Sequence, residues 1–260
     1  MRLKLTIEYA GTRYSGWQIQ TNARTIQGEL ERAVLSATGV DAFELYGSGR
    51  TDAGVHALAQ VAHLDIQSTL PVDTLRRRIN DELPTDIVVL HAERVPHRFH
   101  ARRDALARSY LYQVARRRTA FAKPFVWWVK EELSIDAMRD AAQAFVGFHD
   151  FRAFSDDDPT EKSTEVLVDG LDIHEDEDLI LFHVEGSHFI WKMVRRMVGV
   201  LVEVGRGGLT VAEAGAMLTE RSPVPARLTA PASGLFLERV YYKGDPRHLP
   251  VRAAINIHRP

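Results

Sequence analysis

The alternation of apolar and polar residues predicts a succession of short strands and amphipathic helices. Strict alternation predicts a strand at 3–9, and helical spacing after the possible cap Thr25 predicts a helix to about residue 37. Further strands are expected at 43–46, 58–66 and 87–90, and a second helix from Val72 ends before Pro84. This order is β-α-β-β-α-β, the split β-α-β arrangement.

The second half of the chain repeats this order more loosely. Strands are expected at 109–115, 125–129, 165–174, 179–185 and 235–242, and helices at 134–146, at 189–204 and after the capping box of Thr210 and Glu213. The pattern therefore predicts an α/β fold of the α+β type, with two ferredoxin-like lobes that share an extended, mostly antiparallel sheet with a central cleft. We place the lobes at 1–105 and 106–242, and a tail without assignment at 243–260.

Composition narrows the chemistry that the chain can use. The 260 residues include no cysteine, which excludes disulfides, thiolate zinc sites and thiol catalysis. Met1 leads directly into a strand pattern, and no apolar stretch reaches the ~18 residues of a membrane span. A soluble, cytoplasmic protein is expected.

Charge is distributed unevenly although the formal net charge is only −2. Eight arginines and a single acid lie between Arg94 and Arg118, whereas twelve acids and two basic residues lie between Asp150 and Asp178. Aromatic residues such as Tyr110 interleave with the arginines. A solvated basic face is one explanation. The interleaving favours a nucleic-acid partner, RNA in particular, because phosphates and stacked bases need these two residue types together.

The loop at 47–57 is the leading candidate site. It contains three glycines, and it holds Asp52 between Arg50 and His56. Asp52 either caps its own backbone in an ordinary hairpin loop or is a carboxylate presented to a ligand. The loop lacks the glycine pattern of a dinucleotide site and the Gly-Lys-Ser/Thr of a P-loop. A partner carboxylate for paired acid–base chemistry is also missing from it.

Other candidate residues keep two interpretations each. The histidines at 56, 63, 91, 97 and 100 could bind a metal, but they lack an acidic shell, and His97 and His100 lie among arginines. Arg195 and Arg196 interrupt an apolar helix, either as long side chains that reach solvent or as cations that hold a carboxylate ionised. Tyr110 is either a core aromatic residue or a platform for a base.

Several motifs, taken together, closely resemble the TruA-type tRNA pseudouridine synthases. The resemblance covers about residues 1–242. The motifs are Tyr9-x-Gly11-x-x-Tyr14-x-Gly16-Trp17-Gln18-x-Gln20, Thr25-Ile26-Gln27-Gly28, Gly49-Arg50-Thr51-Asp52-Ala53-Gly54-Val55-His56, Asn80-x-x-Leu83-Pro84-x-Asp86-Ile87, Phe99-His100-Ala101-Arg102, Tyr110-x-Tyr112, His149-Asp150-Phe151, Met193-Val194-Arg195-x-x-Val198-Gly199 and Gly234-Leu235.

The resemblance implies the pseudouridine synthase fold and specific roles for seven residues. Asp52 matches the catalytic aspartate, Tyr110 the tyrosine that stacks on the target base, and Arg195 the arginine that pairs with the aspartate. The remaining matches are Arg50, which assists in flipping the nucleotide, Leu235, which packs near the base, and His100 and Arg102, which lie where the family contacts RNA.

The same resemblance implies the substrate and the partners. The enzyme would convert uridine to pseudouridine at positions 38, 39 and 40 of the tRNA anticodon stem-loop. It would act as a homodimer and need neither a metal nor another cofactor. The acidic loop 155–163 and Glu165 depart from the family pattern, since the family often has a cation at the position of Glu165.

Two other function classes remain as alternatives. A non-catalytic RNA-binding protein would bind tRNA with a steep salt dependence and leave its nucleosides unchanged. A metal-assisted hydrolase would use Asp52 with His56 and lose activity to a chelator. The presence of Asp52, Tyr110 and Arg195 together favours the synthase.

Overall fold

The computed structural model describes residues 1–247 and 249–257, so positions 248 and 258–260 of the predicted tail lie outside the described residues. The chain forms two compact units. The first comprises Met1–Leu106 and Leu237–Asp245, and the second comprises Ala107–Phe236 and the described residues from Pro246 onward. Within the described ranges, no helix has both the length and the apolar character needed to cross a membrane.

The elements of the first unit follow the predicted β-α-β-β-α-β order. They are β1 (Arg2–Tyr9), α1 (Ile26–Thr38), β2 (Phe43–Gly47), β3 (His56–Ile66), α2 (Val72–Glu82) and β4 (Ile87–Val95). Strand β4 extends well beyond the predicted residue 90, because β1 pairs with it as far as Val95. The added residues are polar and mostly exposed, so hydrophobic periodicity gave no sign of them.

Residues after Leu106 form the remaining elements. They are β5 (Ala107–Ala115), β6 (Trp127–Trp128), α3 (Ile135–Gln143), β7 (Gly147–Asp150), β8 (Glu165–Asp176), β9 (Leu179–Gly186), α4 (Met193–Gly205), α5 (Val211–Ala216), α6 (Val224–Arg227) and β10 (Leu235–Tyr241).

Strand pairing is antiparallel almost throughout. In the first unit β1 lies between β3 and β4, and β2 pairs with β3. In the second unit the strand order is β5-β9-β8-β7, and only the short β6 runs parallel to its neighbour β5. The prediction of a mixed α/β fold with mostly antiparallel strands is confirmed.

Local sequence signals explain where most helices begin. The Thr25 side chain accepts a hydrogen bond from Gly28 N at the start of α1, and Ser134 and Thr210 cap α3 and α5 in the same way. Gly39 ends α1 with φ of 68°, a left-handed conformation that favours glycine. Helix α1 buries Ile26 and Leu30.

Three elements of the second half differ between prediction and structure. The strand expected at 125–129 is only Trp127–Trp128, because Lys123–Phe125 forms a short 3₁₀ turn that includes a proline. The helix expected from 189 begins at Met193, since Lys192 has a left-handed φ of 63° that interrupts helical geometry. Strand β7 was not predicted, because its large apolar residue Phe148 is exposed and gives no alternation.

Candidate active site

The Asp52 loop connects β2 to β3 and packs against the segment that follows β1. Trp17 N donates to Thr51 O at 3.1 Å, and Gly54 N donates to Tyr14 O at 3.2 Å. This approach requires glycine, because a Cβ at Gly11 would lie 1.9 Å from the main-chain oxygen of Val55. The resemblance motif around residues 9–18 therefore forms the support on which the loop rests.

A network of uncharged hydrogen-bonding groups joins the loop to β1 and β3. The Ser48 hydroxyl donates to Gln60 Oε1 at 2.7 Å, and Gln60 Nε2 donates to Gly49 O at 3.2 Å. The Tyr9 hydroxyl and Thr51 Oγ1 share a hydrogen bond of 2.8 Å next to Asp52. Burial raises the pKa of Tyr9 despite this bond, so the phenol stays neutral.

Asp52 itself is half-buried at the top of this network. Its main-chain carbonyl accepts a hydrogen bond from Val55 N at 3.1 Å and closes the turn. The turn therefore does not need the Asp52 side chain to close it. A carboxylate held in this way can act on a ligand as a base or as a nucleophile.

Arg50 lies two residues before Asp52 and is exposed. Its Nε donates to Gln18 Oε1 at 3.2 Å, and Gln18 Nε2 donates in turn to Gln27 Oε1 at 3.1 Å. The guanidinium is therefore held at the surface by the same segment that supports the loop.

His100 and Arg102 share a turn that follows β4. The main-chain N–H groups of Arg102 and Arg103 both point at His100 Nδ1, at 3.2 and 3.4 Å. His63 Nδ1 accepts from Ala101 N at 3.2 Å, and the rings of His63 and His100 are 4.8 Å apart. The turn thus presents exposed arginines, and we refer to residues 98–103 as the arginine turn.

Burial of His63 keeps its imidazole neutral. Desolvation, with a smaller contribution from Arg2, lowers the pKa of His63 to about 4. Burial also lowers the pKa of His100. Neutral rings are needed because an Nδ1 that accepts a main-chain hydrogen bond cannot carry a proton.

Tyr110 lies on β5 in the second unit and is half-buried. Phe189 meets it edge-to-face, with ring centroids 5.1 Å apart, which is a favourable aromatic geometry. Its neighbour Tyr112 is the core residue of the pair, and the Tyr112 hydroxyl donates to Pro231 O at 2.7 Å. Of the two strand tyrosines, Tyr110 is therefore the one that a ligand can reach.

Arg195 occupies the first turn of α4. Its Nε donates to Ala230 O at 2.7 Å, and Ala230 N donates to Arg195 O at 3.0 Å. Leu235 begins β10 and is buried. Arg196 differs from Arg195, because it is only 3% exposed and forms an ion pair with Asp156. Extension of Arg196 to solvent is therefore ruled out.

The seven candidate residues divide between the units. Asp52 and Arg50 share one loop of the first unit, and His100 and Arg102 share one turn of it, whereas Tyr110, Arg195 and Leu235 belong to the second unit.

The residues that support these side chains were not predicted from the sequence. Gln60 could have been noticed as an amide in an otherwise apolar strand, but Phe189 and Asp156 gave no separate signal.

The histidine near Asp52 is used structurally. His56 is buried, and its Nδ1 accepts a hydrogen bond from Gly11 N at 3.0 Å. Across residues 1–247 and 249–257, no group of three or more His, Cys, Asp or Glu side chains is placed to hold a metal ion.

Comparison with known proteins decides the family. A sequence profile described as tRNA pseudouridine synthase matches residues 5–104 and 141–243. The chain belongs to the tRNA pseudouridine synthase family. The matched ranges include the Asp52 loop, the arginine turn and helix α4.

Individual relatives agree over nearly their whole length. The tRNA pseudouridine synthase A of Rhodopseudomonas palustris is 44% identical over 93% of this chain and 99% of its own. The tRNA pseudouridine synthase A 2 of Clostridium tetani is 38% identical over 92% and 98%. A solved Cbf5-Nop10-Gar1 complex aligns with 76% of this chain and 54% of its own at 11% identity, and its TM-score of 0.36 is too low to carry an argument.

Members of this family are isomerases that act on tRNA. The resemblance inferred from the sequence motifs is thereby confirmed, and so is the reaction class that it implied.

Proposed function

We propose that this protein isomerises uridine to pseudouridine at positions 38, 39 and 40 of the tRNA anticodon stem-loop, with Asp52 as the catalytic carboxylate. The observation that supports this most directly is the position of Asp52. A half-buried carboxylate, supported by a neutral network, lies in a loop within the range matched by the family profile.

The reaction moves one glycosidic bond and is redox-neutral. The bond from uracil N1 to ribose C1′ breaks, the base rotates, and C5 bonds to C1′ while N1 gains a proton and C5 loses one. Asp52 either attacks C1′ or removes the proton from C2′. Because no electrons are exchanged with another molecule, the proposed reaction needs no redox cofactor.

The other candidate residues take their roles around that carboxylate. Tyr110 stacks on the target base and assists in removing the C5 proton, and its exposed face suits that task. Arg195, braced by Ala230, pairs with the carboxylate. Leu235 provides an apolar contact near the base.

Arg50 and the arginine turn act on the RNA backbone. Arg50 helps to extrude the nucleotide, because chemistry at C1′ requires the base to leave its stack. Arg102 contacts phosphates with its exposed positive charge, and the neutral His100 ring contacts the RNA beside it. We further propose a homodimer located in the cytoplasm, both by similarity to the family.

Tritium release tests the proposal. Unmodified tRNA labelled at uridine C5 is incubated with the wild-type protein, Asp52→Asn and, as a matched loss of one exposed charge, Asp41→Asn. We expect release by the wild type and by Asp41→Asn, and a decrease of at least about 10²–10⁴-fold for Asp52→Asn. Filter binding should show that the wild type and both variants bind tRNA.

Substrate position is tested in the same assay. Replacing uridines 38, 39 and 40 by cytidine should remove the release. Binding without release by the wild type would support the RNA-binding alternative, and equal release by Asp52→Asn would exclude Asp52 from the chemistry.

A further inference from the structure

The acidic loop 155–163, which departs from the family pattern, has a specific structural role in the second unit. We call Asp156 and Asp157 the acidic clamp. Asp157 Oδ2 accepts a hydrogen bond from the main-chain N–H of Trp191 at 3.0 Å. Asp156 accepts one from Lys192 Nζ at 2.7 Å and also pairs with Arg196. Both carboxylates therefore hold the segment in which α4 begins.

The clamp compensates a buried charge. The Arg196 side chain is 4% exposed, and its Nε is buried without a hydrogen-bond partner. A buried cation is costly unless an opposite charge lies beside it, and Asp156 is that charge. The hydrogen bond from Lys192, followed by that from Arg196, lowers the pKa of Asp156.

Two residues of the proposed active site depend on the clamped segment: one packs against it and the other lies in it. Phe189 precedes the clamped backbone and packs against the Tyr110 ring. Arg195 lies between the two clamped cations, Lys192 and Arg196. The left-handed conformation of Lys192, with φ of 63°, delays the helix so that it begins at Met193.

We propose that Asp156 and Asp157 are positioning residues, which fix the Phe189–Arg196 segment so that Tyr110 and Arg195 hold their catalytic geometry. The inference rests on the proposed function for its effect on turnover. The clamp touches neither substrate nor reacting atoms, so it acts through the segment that it holds.

A simpler role for the acids predicts the opposite result. If the acidic loop only repels tRNA, removal of any one of its charges should tighten binding and leave kcat unchanged. A positioning role instead predicts a lower kcat for the clamp residues alone. Asp158 provides the matched control, because it lies in the same loop and its carboxylate bonds Thr160 of that loop.

The experiment compares Asp156→Asn, Asp157→Asn and Asp158→Asn in the full-length protein. Hydrogen–deuterium exchange should become faster at residues 189–196 in the first two variants and stay unchanged in the third. With tRNA as substrate, kcat should fall by about tenfold for Asp156→Asn, within the ~10²-fold that a 1 Å misplacement can cost. The Kd for tRNA should stay the same or decrease.

Two results would overturn the proposal. One is unchanged exchange at 189–196 in both clamp variants. The other is an equal effect of all three substitutions on kcat. Since exchange is measured without substrate, failure of the proposed pseudouridine activity would not be confused with failure of the clamp. If Asp156→Asn does not fold, Asp157→Asn carries the test, because the partner of Asp157 in the clamped segment is a main-chain amide and not a buried cation.

Discussion

The Asp52 loop and the start of α4 carry residues of the proposed active site, and different forces hold the two segments. Uncharged groups support the loop, namely buried tyrosine, threonine and amide side chains and the main chain of residues 11–17. Charged groups support the helix start, namely Asp156 and Asp157 with Lys192 and Arg196.

The two kinds of support correspond to the charge that lies in each segment. The proposed reaction needs a negative charge on Asp52, and the hydrogen-bond network under its loop consists of neutral groups. The α4 segment carries a buried cation and needs a compensating acid close by. Hydrogen bonds between neutral groups respond little to salt, whereas exposed ion pairs are screened by it. The two segments should therefore fail under different conditions.

Close backbone packing makes Gly11→Ala the most damaging change to the neutral segment. The new Cβ would lie 1.9 Å from Val55 O, so the Asp52 loop must move. We expect a loss of about 1–3 kcal/mol or more in unfolding free energy from overpacking, and about 10²-fold in kcat from misplacement. Urea unfolding and tritium release measure the two effects.

Gly49→Ala is the matched control for this change. A Cβ at Gly49 would meet no atom within 4 Å, so its unfolding free energy should match that of the wild type. Equal destabilisation by both substitutions would show that the close approach of Gly11 to Val55 does not hold the loop in place.

Gln60→Leu should remove the centre of the neutral network. It removes the amide that bonds the Ser48 hydroxyl and the Gly49 carbonyl, and the loss of buried hydrogen bonds of this kind costs about 1–3 kcal/mol. Gln113→Leu is the matched control in the second unit, where the equally buried amide bonds Phe125 O and Ala254 N. Both should lower the Tm similarly, but only Gln60→Leu should lower kcat. Equal kcat values would separate the network from catalysis.

The two segments also differ in how well the sequence predicted them. Asp52 was identifiable because glycines, a lone carboxylate and an arginine are adjacent in sequence, and the β-α-β-β-α-β order followed from strong alternation around it. The α4 start was predicted four residues early, because Ile190 and Trp191 fit a helical pattern whereas the left-handed Lys192 gives no compositional sign.

The acidic loop shows the limit of reading local composition. Three consecutive aspartates marked the loop only as a departure from the family pattern, but two of them bind groups more than thirty residues later. Such contacts depend on the tertiary structure. The family resemblance could not supply them, since the loop is where the sequence departs from that pattern.

Mild acid should test a third support, His63 under the arginine turn. An unfolded histidine, with a pKa of about 6.5, takes up a proton between pH 6.5 and 4 that folded His63 does not take. The contribution of His63 to the unfolding free energy should therefore fall as pH falls through this window and level off near pH 4. The charged and titratable groups around His63 are Arg2, Asp65, His100 and Arg103.

His63→Gln should flatten this pH dependence. We expect the wild type to lose on the order of 1–2 kcal/mol from pH 6.5 to 4, after allowance for solvent screening of a partly solvated ring. A slope that survives His63→Gln would assign the titration to another group. Urea unfolding at half-unit pH steps measures it.

The smallest expected effect is a difference in coupling energy, and it distinguishes the charged support of α4 from the neutral support of the Asp52 loop. A double-mutant cycle with Asp156→Asn and Lys192→Gln isolates one ion pair of the clamp, whose partners are about one-third exposed. Its coupling energy should be about 0.2–1 kcal/mol in low salt. It should shrink at 1 M NaCl, where the screening length falls to about 3 Å.

The matched cycle with Ser48→Ala and Gln60→Leu should give about 0.5–1.5 kcal/mol. This coupling should be independent of salt, because both atoms are buried and uncharged. If both couplings fell equally with salt, the distinction between a neutral and a charged support would be lost, and the resistance of the Asp52 loop to ionic strength would need another cause.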